Sequence, residues 1–121
     1  MTTIKNFEDL KAWQQAREMA GYVYALTRKE KFSRDFGLCH QIQEAAGSAM
    51  HTIAEGFESG YDPEFARFLK IARRSAGEVQ SELYLALDAD FITQEELKKA
   101  YDLAVDVKKL INGMISYLCK N

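Results

Sequence analysis

Residues 62–86, DPEFARFLKIARRSAGEVQSELYLA, decide the fold of this chain. Apolar residues recur along the segment at alternating spacings of four and three, the heptad pattern of helices that pack in bundles and coiled coils. The apolar seam consists of Phe65, Leu69, Ala72, Ala76, Val79, Leu83 and Ala86. Asp62 is placed to cap this helix, Pro63 suits its first turn, and Glu64 complements the helix dipole. We expect the helix to end near residues 88–90.

Three more amphipathic patterns flank this segment. The first runs from about residue 7 to 28 with Asn6 as its N-cap, and the second runs from about residue 33 to 58. The last begins with a capping box, in which Thr93 is followed three residues later by Glu96, and continues almost to the C-terminus. The apolar face of the first pattern consists of Leu10, Trp13, Ala16, Ala20, Val23 and Tyr24.

Four amphipathic helices joined by short connections predict an all-α fold, an antiparallel up-down-up-down four-helix bundle. The whole chain, residues 1–121, is predicted to be a single domain because this length suits one core. The pattern leaves two alternatives open. One is a three-helix domain with a helix exchanged between chains, and the other is a two-helix hairpin that assembles with partners.

The composition excludes several classes of protein. Hydrophobic residues make up 47% of the chain and charged residues 28%, which excludes disorder caused by low hydrophobicity. The formal net charge is −2, so a generally basic nucleic-acid binder is not expected. Two cysteines, Cys39 and Cys119, eighty residues apart in sequence, match neither a zinc motif nor a disulfide framework. No apolar leader or membrane span is recognisable, so we expect a cytoplasmic protein with no membrane partner.

Surplus apolar positions predict self-association. Ile71 and Leu85 lie away from the heptad seam, Phe68 flanks it, and Tyr22 lies off the main stripe of the first helix. A monomeric bundle needs one apolar stripe per helix, so these four residues are candidates for an oligomer interface. The alternative is that they are scattered surface hydrophobic residues of the ordinary kind.

The densest basic patch of the chain is on the third predicted helix. It consists of Arg67, Lys70, Arg73 and Arg74, and it is a candidate nucleic-acid-binding site because clustered cations contact phosphates. The alternative is a solvated helix face whose cations pair with nearby acids. The candidate acids are Glu64, Glu78 and Glu82.

The sequence predicts no catalytic, metal or cofactor site. No Gly-rich phosphate loop or hydrolase motif is present, and no cofactor or small-molecule substrate is expected. His40 and His51 lie eleven residues apart, about 16 Å along a helix, so one ion cannot bind both within a chain. Each can instead form an i,i+4 pair, with Glu44 or Glu55 respectively. We therefore predict that the protein is not an enzyme.

Several motifs together resemble a known family. They are FGLCHQI at 36–42, IAEG at 53–56 and EFARFLKIA at 64–72, with FEDLKAWQ at 7–14 and SAGEV at 75–79. This ordered set, which covers nearly the whole chain, is similar to the bacterial four-helix-bundle family also called 23S rRNA intervening sequence proteins. The resemblance implies a ring-like homopentamer without enzyme activity. It also implies kinship with an accessory protein of diversity-generating retroelements, which uses a basic surface to engage a reverse transcriptase and nucleic acid.

The chain departs from the family pattern at a few positions. Gln43 and Glu44 stand where members commonly have basic residues, which removes positive charge from the second helix. Thr52 replaces the usual asparagine before Ile-Ala-Glu-Gly and keeps hydrogen-bonding capacity. Ser33 replaces a proline and is a possible N-cap. These departures leave the fold prediction intact and weaken the case for nucleic-acid binding.

Three functions remain as hypotheses, in descending order. The first is a non-enzymatic homo-oligomeric scaffold or adaptor, a homopentamer if the family resemblance holds, that binds itself and a protein or nucleoprotein partner. The second is an accessory protein that binds RNA or DNA through the basic patch. The third, and least favoured, is an enzyme or metal protein with carboxylates inside the bundle. The sequence identifies neither the partner nor the nucleic acid.

Overall fold

The computed structural model describes residues 4–120, which form helices and connecting turns without a strand. Four long helices and one short one follow a 3-10 turn at Phe7–Asp9. They are α1 (Lys11–Thr27), α2 (Glu30–Ser33), α3 (Phe36–Glu58), α4 (Asp62–Asp88) and α5 (Gln94–Leu118). Helix α1 packs on α3 and α5, and α4 packs on the same two helices, so the four long helices close a square with α1 diagonal to α4. This architecture confirms the predicted all-α bundle.

The first helix begins later than the sequence predicted. Residues 7–9 form the 3-10 turn, and Leu10 is extended with φ −74° and ψ 125° before α1 begins. Leu10 is buried, and Phe7 packs edge-on against Trp13 with 5.1 Å between ring centroids. The chain adopts an extended conformation at Leu10, which buries these apolar side chains, instead of continuing as one helix from residue 7. The prediction of Asn6 as N-cap was therefore wrong, because its side chain makes no capping hydrogen bond.

A short helix interrupts the connection between α1 and α3. Helix α2 buries Phe32, whose ring stacks on Phe91, in the turn between α4 and α5, with 5.2 Å between ring centroids. Ser33 closes α2 by donating its hydroxyl to the carbonyl of Glu30 at 2.8 Å. Asp35 caps α3 instead, accepting from the backbone N–H of Leu38 at 3.0 Å. Ser33 is therefore not the N-cap of α3.

The predicted seam of α4 is buried along its whole length, from Phe65 to Ala86. Asp62 is the first residue of the helix rather than its cap, and Tyr61 occupies the cap position without a side-chain hydrogen bond. Pro63 lies in the first turn as predicted. The α4–α5 turn passes through Asp90, whose φ of 62° is in the left-handed region.

The capping box of α5 is present as predicted. The backbone N–H of Glu96 donates to the Thr93 hydroxyl at 3.1 Å, and the Glu96 carboxylate accepts from the backbone N–H of Thr93 at 2.9 Å. The same carboxylate oxygen accepts from Lys29 at 2.6 Å, between α1 and α2. These bonds help to hold the pKa of Glu96 below its usual value, although partial burial opposes them. Glu96 thus ties the start of α5 to the end of α1.

Small residues let the helices of the core approach closely. Alanines at 45, 46 and 49 on α3 and at 72 and 76 on α4 are buried. A Cβ added at Gly56 of α3 would lie 2.7 Å from the Cβ of Phe68 and 2.9 Å from Cδ1 of Phe65. Gly56 is therefore required by the contact between α3 and α4. On α1, Tyr24 was assigned to the apolar face and is instead 43% exposed, because the buried stripe passes through Val23 and Leu26.

Candidate interaction surfaces

Two of the four predicted patch cations are bound within the chain. Arg67 forms a bidentate pair with Glu64, donating from Nε at 2.9 Å and from Nη2 at 3.0 Å. This pair lowers the pKa of the Glu64 carboxyl and raises the pKa of Arg67. Arg73 reaches across to α5 and donates to the Asn112 side chain at 2.8 Å. The pairing of Arg67 with Glu64 agrees with the alternative of a solvated helix face.

The other two cations, Lys70 and Arg74, are exposed on the side of α4 that faces away from the core. Neither forms an ion pair with any residue between 4 and 120. Glu78 and Glu82, predicted as possible partners, lie further along α4 and pair with neither cation. Lys70 and Arg74 are thus the part of the patch that is available to an external anion.

Three of the four lysines of α5 are engaged within the chain, whereas Lys109 is exposed without an ion pair among residues 4–120. Lys98 pairs with Asp102 at 2.9 Å, and Lys99 lies over the ring of Tyr22 at 4.5 Å from its centroid. Lys108 donates to the buried Gln80 of α4 at 2.9 Å. Each of these ammonium groups therefore has a partner in the chain.

The four candidate interface residues lie on two sides of the bundle. Tyr22 is half-buried on α1 beneath Lys99, on the side where α1 packs on α5. Phe68 is half-buried on α4 against Gly56 of α3, and Arg67 covers its ring at 4.7 Å. Ile71 is also half-buried, and Leu85 is 56% exposed. The structure therefore groups Phe68, Ile71 and Leu85 on α4 and places Tyr22 across the bundle.

Sequence patterns missed several exposed aromatic residues. Phe36, at the start of α3, is 80% exposed and lies beside a shallow cleft lined by Lys31, Arg34 and Phe91. Tyr61, before α4, is 64% exposed and lines a cleft of about 610 Å³ at the opposite end of the bundle. Both residues lie at the start of a helix, where the spacing of apolar residues does not show whether a side chain faces the core or the solvent.

The outer face of α3 carries the acidic and histidine residues noted in the sequence. His40 and Glu44 form the predicted i,i+4 pair at 3.4 Å. His51 and Glu55 are both exposed and do not come within ion-pair distance of each other. Within residues 4–120, no three His, Cys, Asp or Glu side chains cluster as metal ligands would.

A polar groove separates the outer edges of α3 and α4. Ser48 of α3 lies 3.0 Å from Ser75 of α4 and 3.4 Å from Thr52, oxygen to oxygen. Ser75 in turn donates to the backbone carbonyl of Ile71 at 3.2 Å. These hydroxyls satisfy one another, so they are occupied in holding the two helices together.

The carboxylate of Glu82, on the same side of α4, is partly buried, and burial disfavours its charged form. Oxygen Oε1 of Glu82 is buried and receives no hydrogen bond from the described residues. Burial, with the nearby charge of Glu78, raises the pKa of Glu82 to about 7. Sequence reasoning could not identify this residue, because its desolvation depends on how the neighbouring helices pack.

The half-buried cysteine is not arranged as a nucleophile. The thiol of Cys39 donates to the carbonyl of Phe32 at 3.1 Å. Burial, and secondarily the charge of Asp35, raise the pKa of this thiol. A nucleophilic cysteine needs the opposite environment, which stabilises the thiolate.

Comparisons with known proteins agree with the bundle. The chain is similar to a crystal structure, at 1.70 Å resolution, of a protein of unknown function from the S23 ribosomal protein family of Bacteroides thetaiotaomicron VPI-5482. The TM-score is 0.78 at 22% sequence identity, and the match covers 86% of this chain and 97% of that one. This likeness supports the fold alone. No curated protein matches the chain.

A family model supplies the classification that the fold alone does not. The model of the 23S rRNA-intervening sequence protein matches residues 8–113, which include all four long helices up to the last turns of α5. Neither this description nor that of the structural neighbour names an enzymatic activity. Among residues 4–120, no helix is both long and apolar enough to pass through a membrane. The chain belongs to the 23S rRNA-intervening sequence protein family.

Proposed function

We propose that this protein is a non-enzymatic, cytoplasmic, homo-oligomeric scaffold or adaptor. The observation that carries the proposal is the apolar surface of α4, where Leu85 is 56% exposed and Ile71 is half-buried although the core beneath them is complete. The core already buries every seam residue of α4, so these side chains are not needed to fold the monomer. A second copy of the chain is the simplest partner that would cover them.

Sedimentation velocity over a range of protein concentrations tests this proposal. The wild type should sediment as an oligomer, a pentamer if the family resemblance extends to assembly. Leu85→Glu should shift the population toward monomer, because a carboxylate in an apolar contact must be desolvated. Ser81→Glu is the matched control, since it places the same charge at an exposed site on α4. A wild type that stays monomeric at the highest concentration would overturn the proposal.

Nucleic-acid binding is the second candidate, supported by Lys70 and Arg74. Both are exposed without an ion-pair partner among the described residues, which leaves their charges free for phosphates. Labelled RNA and DNA of mixed sequence should bind with an affinity that falls as salt rises. Lys70→Ala with Arg74→Ala should weaken binding and reduce the salt slope by about two. The control, Lys98→Ala with Lys109→Ala, removes two cations from α5, and equal effects of the two pairs would exclude a local site.

A further inference from the structure

The interface between α3 and α4 contains a carboxylate oxygen that the fold leaves without a hydrogen bond. Oxygen Oε1 of Glu82 is buried and accepts no bond from residues 4–120. Such groups are rare in folded proteins, because a buried acceptor has given up its bonds to water and received none in return. Glu82 is therefore held in a position that disfavours its ionised form.

The register of the two helices places Glu82 level with Gln41. Helices α3 and α4 are joined by a three-residue turn and run antiparallel, and the hydroxyls of Ser48 and Ser75 meet across them at 3.0 Å. Gln41 lies seven residues before Ser48, and Glu82 lies seven residues after Ser75. Seven residues are about two helical turns, or about 10.5 Å along the axis, so both steps return to the same face. Gln41 and Glu82 thus oppose each other in the half of the interface formed by residues 38–48 and 75–85, which we call the polar half.

The charged groups around Glu82 add to the cost of its ionisation. No cation among residues 4–120 forms an ion pair with it. Glu78, one turn earlier on α4, and Glu44 of α3 line the groove outside the interface, and Glu44 is 3.4 Å from His40. From α5, Lys108 is bonded to a glutamine on a different face of α4. Loss of the Glu82 proton therefore adds a negative charge beside two others.

We propose that Glu82 is a pH-sensitive switch, with which the polar half of the α3–α4 interface stays closed while this carboxyl holds a proton and opens locally when the proton is lost. A protonated carboxyl is neutral and carries a hydroxyl donor, which suits a buried position facing the amide of Gln41. A carboxylate must instead regain water, and Glu78 repels it. The other half of the interface is held by steric fit at Gly56, so opening is confined to the polar half.

Opening should increase as pH rises toward neutrality. Burial, and secondarily the charge of Glu78, raise the pKa of Glu82 from 4.5 to about 7 in the closed interface. In the open interface water solvates the carboxylate, so its pKa returns toward the ordinary value. The closed form then binds the proton more strongly, and the open fraction should grow between pH 4.5 and about 7 and level off above. The switch is a property of one chain and does not depend on the self-association proposed above.

Amide hydrogen exchange at pH 5 and pH 8, corrected for the intrinsic effect of pH on exchange, tests the switch. Protection in the polar half should fall by about tenfold between these values, less than the full change in pKa allows because solvent screens a partly exposed carboxylate. Residues 52–58 and 65–72, in the half around Gly56, should retain their protection. Glu82→Gln is neutral at both pH values and should abolish the fall, and Glu78→Gln should reduce it.

A matched control separates Glu82 from the neighbouring imidazole. His40→Gln removes the other group near this groove that titrates close to neutral pH, and it should keep the dependence of the wild type. The switch is wrong if protection in the polar half does not change with pH, if the change persists in Glu82→Gln, or if His40→Gln abolishes it. Equal loss in both halves would also overturn the switch, because the whole bundle would then be unfolding. Circular dichroism verifies that each variant is folded.

Discussion

The two ends of the α3–α4 interface differ in how they hold the same pair of helices. At the end near the α3–α4 turn, Gly56 lies against Phe65 and Phe68 so closely that no Cβ fits. Toward the other end, Ser48 and Ser75 join the helices by hydroxyls, and Glu82 is partly buried without a donor for Oε1. The first end is held by close packing, whereas the second joins the helices through hydrogen-bonded hydroxyls and contains a carboxylate oxygen without a donor among the described residues. The difference shows that one interface is stabilised by steric fit at one end and by hydrogen bonds at the other, so the two ends should respond differently to substitution and to pH.

The largest expected effect is at the tight end. Gly56→Ala should lower the free energy of unfolding by about 2 kcal/mol, because the added Cβ would lie 2.7 Å from the Cβ of Phe68 and the helices must separate. Urea denaturation measures the change. Gly21→Ala on α1 is the matched control, since a Cβ there meets nothing within 4 Å. The control should gain up to about 1 kcal/mol from helix propensity, and a similar gain at Gly56 would contradict the close contact.

The next effect is at the polar end and depends on pH. The pKa of Glu82 is raised from 4.5 to about 7, so the folded state binds more protons than the unfolded state in that interval. Stability should therefore fall as pH rises through that interval. Glu82→Gln should raise the free energy of unfolding by about 1 kcal/mol above pH 7, after allowance for solvent screening, and change it little below pH 4.5.

Unfolding of the Glu82→Gln variant at both ends of this pH range provides the measurement. Glu18→Gln, at an exposed site on α1, controls for the loss of one negative charge. If the Glu82 and Glu18 variants gain equally at high pH, the burial of Glu82 does not matter to stability.

The smallest effect is expected at the serine pair. Ser75→Ala should cost about 1 kcal/mol, because Ser48 loses the partner 3.0 Å away and Ser75 is buried. Replacing both serines should cost less than the sum of the single changes, since no hydroxyl of the pair is then left without its partner. A double-mutant cycle by chemical denaturation measures this coupling, with Ser81→Ala as the exposed control. Strict additivity would show that the two hydroxyls do not interact.

The sequence predicted correctly those features of the fold that depend on residues close together in the chain. The heptad seam of α4 and the capping box at Thr93 depend on residues a few positions apart, and both are present as predicted. The Asn6 cap was wrong because burial of Leu10 and Phe7 against the core governs the chain there. No pattern within a single helix could show that Glu82 loses solvent. That property depends on the neighbouring helices.

Surface predictions were limited for the same reason. Four cations within eight residues looked like one patch, but Arg67 and Arg73 are engaged by Glu64 and Asn112. The partner of Arg67 lies three residues away and was identifiable from spacing. The partner of Arg73 lies 39 residues away on another helix and becomes apparent only once the bundle is assembled.

The carboxylate of Glu96 has a consequence for local opening of the bundle. One of its oxygens accepts from Lys29 and from the backbone of Thr93, so the end of α1 and the first turn of α5 share an acceptor. Fraying of either segment removes a partner from the other. The amide hydrogens at these two places, 67 residues apart, should therefore exchange with solvent as one cooperative unit, and Lys29→Met should speed exchange in the first turn of α5.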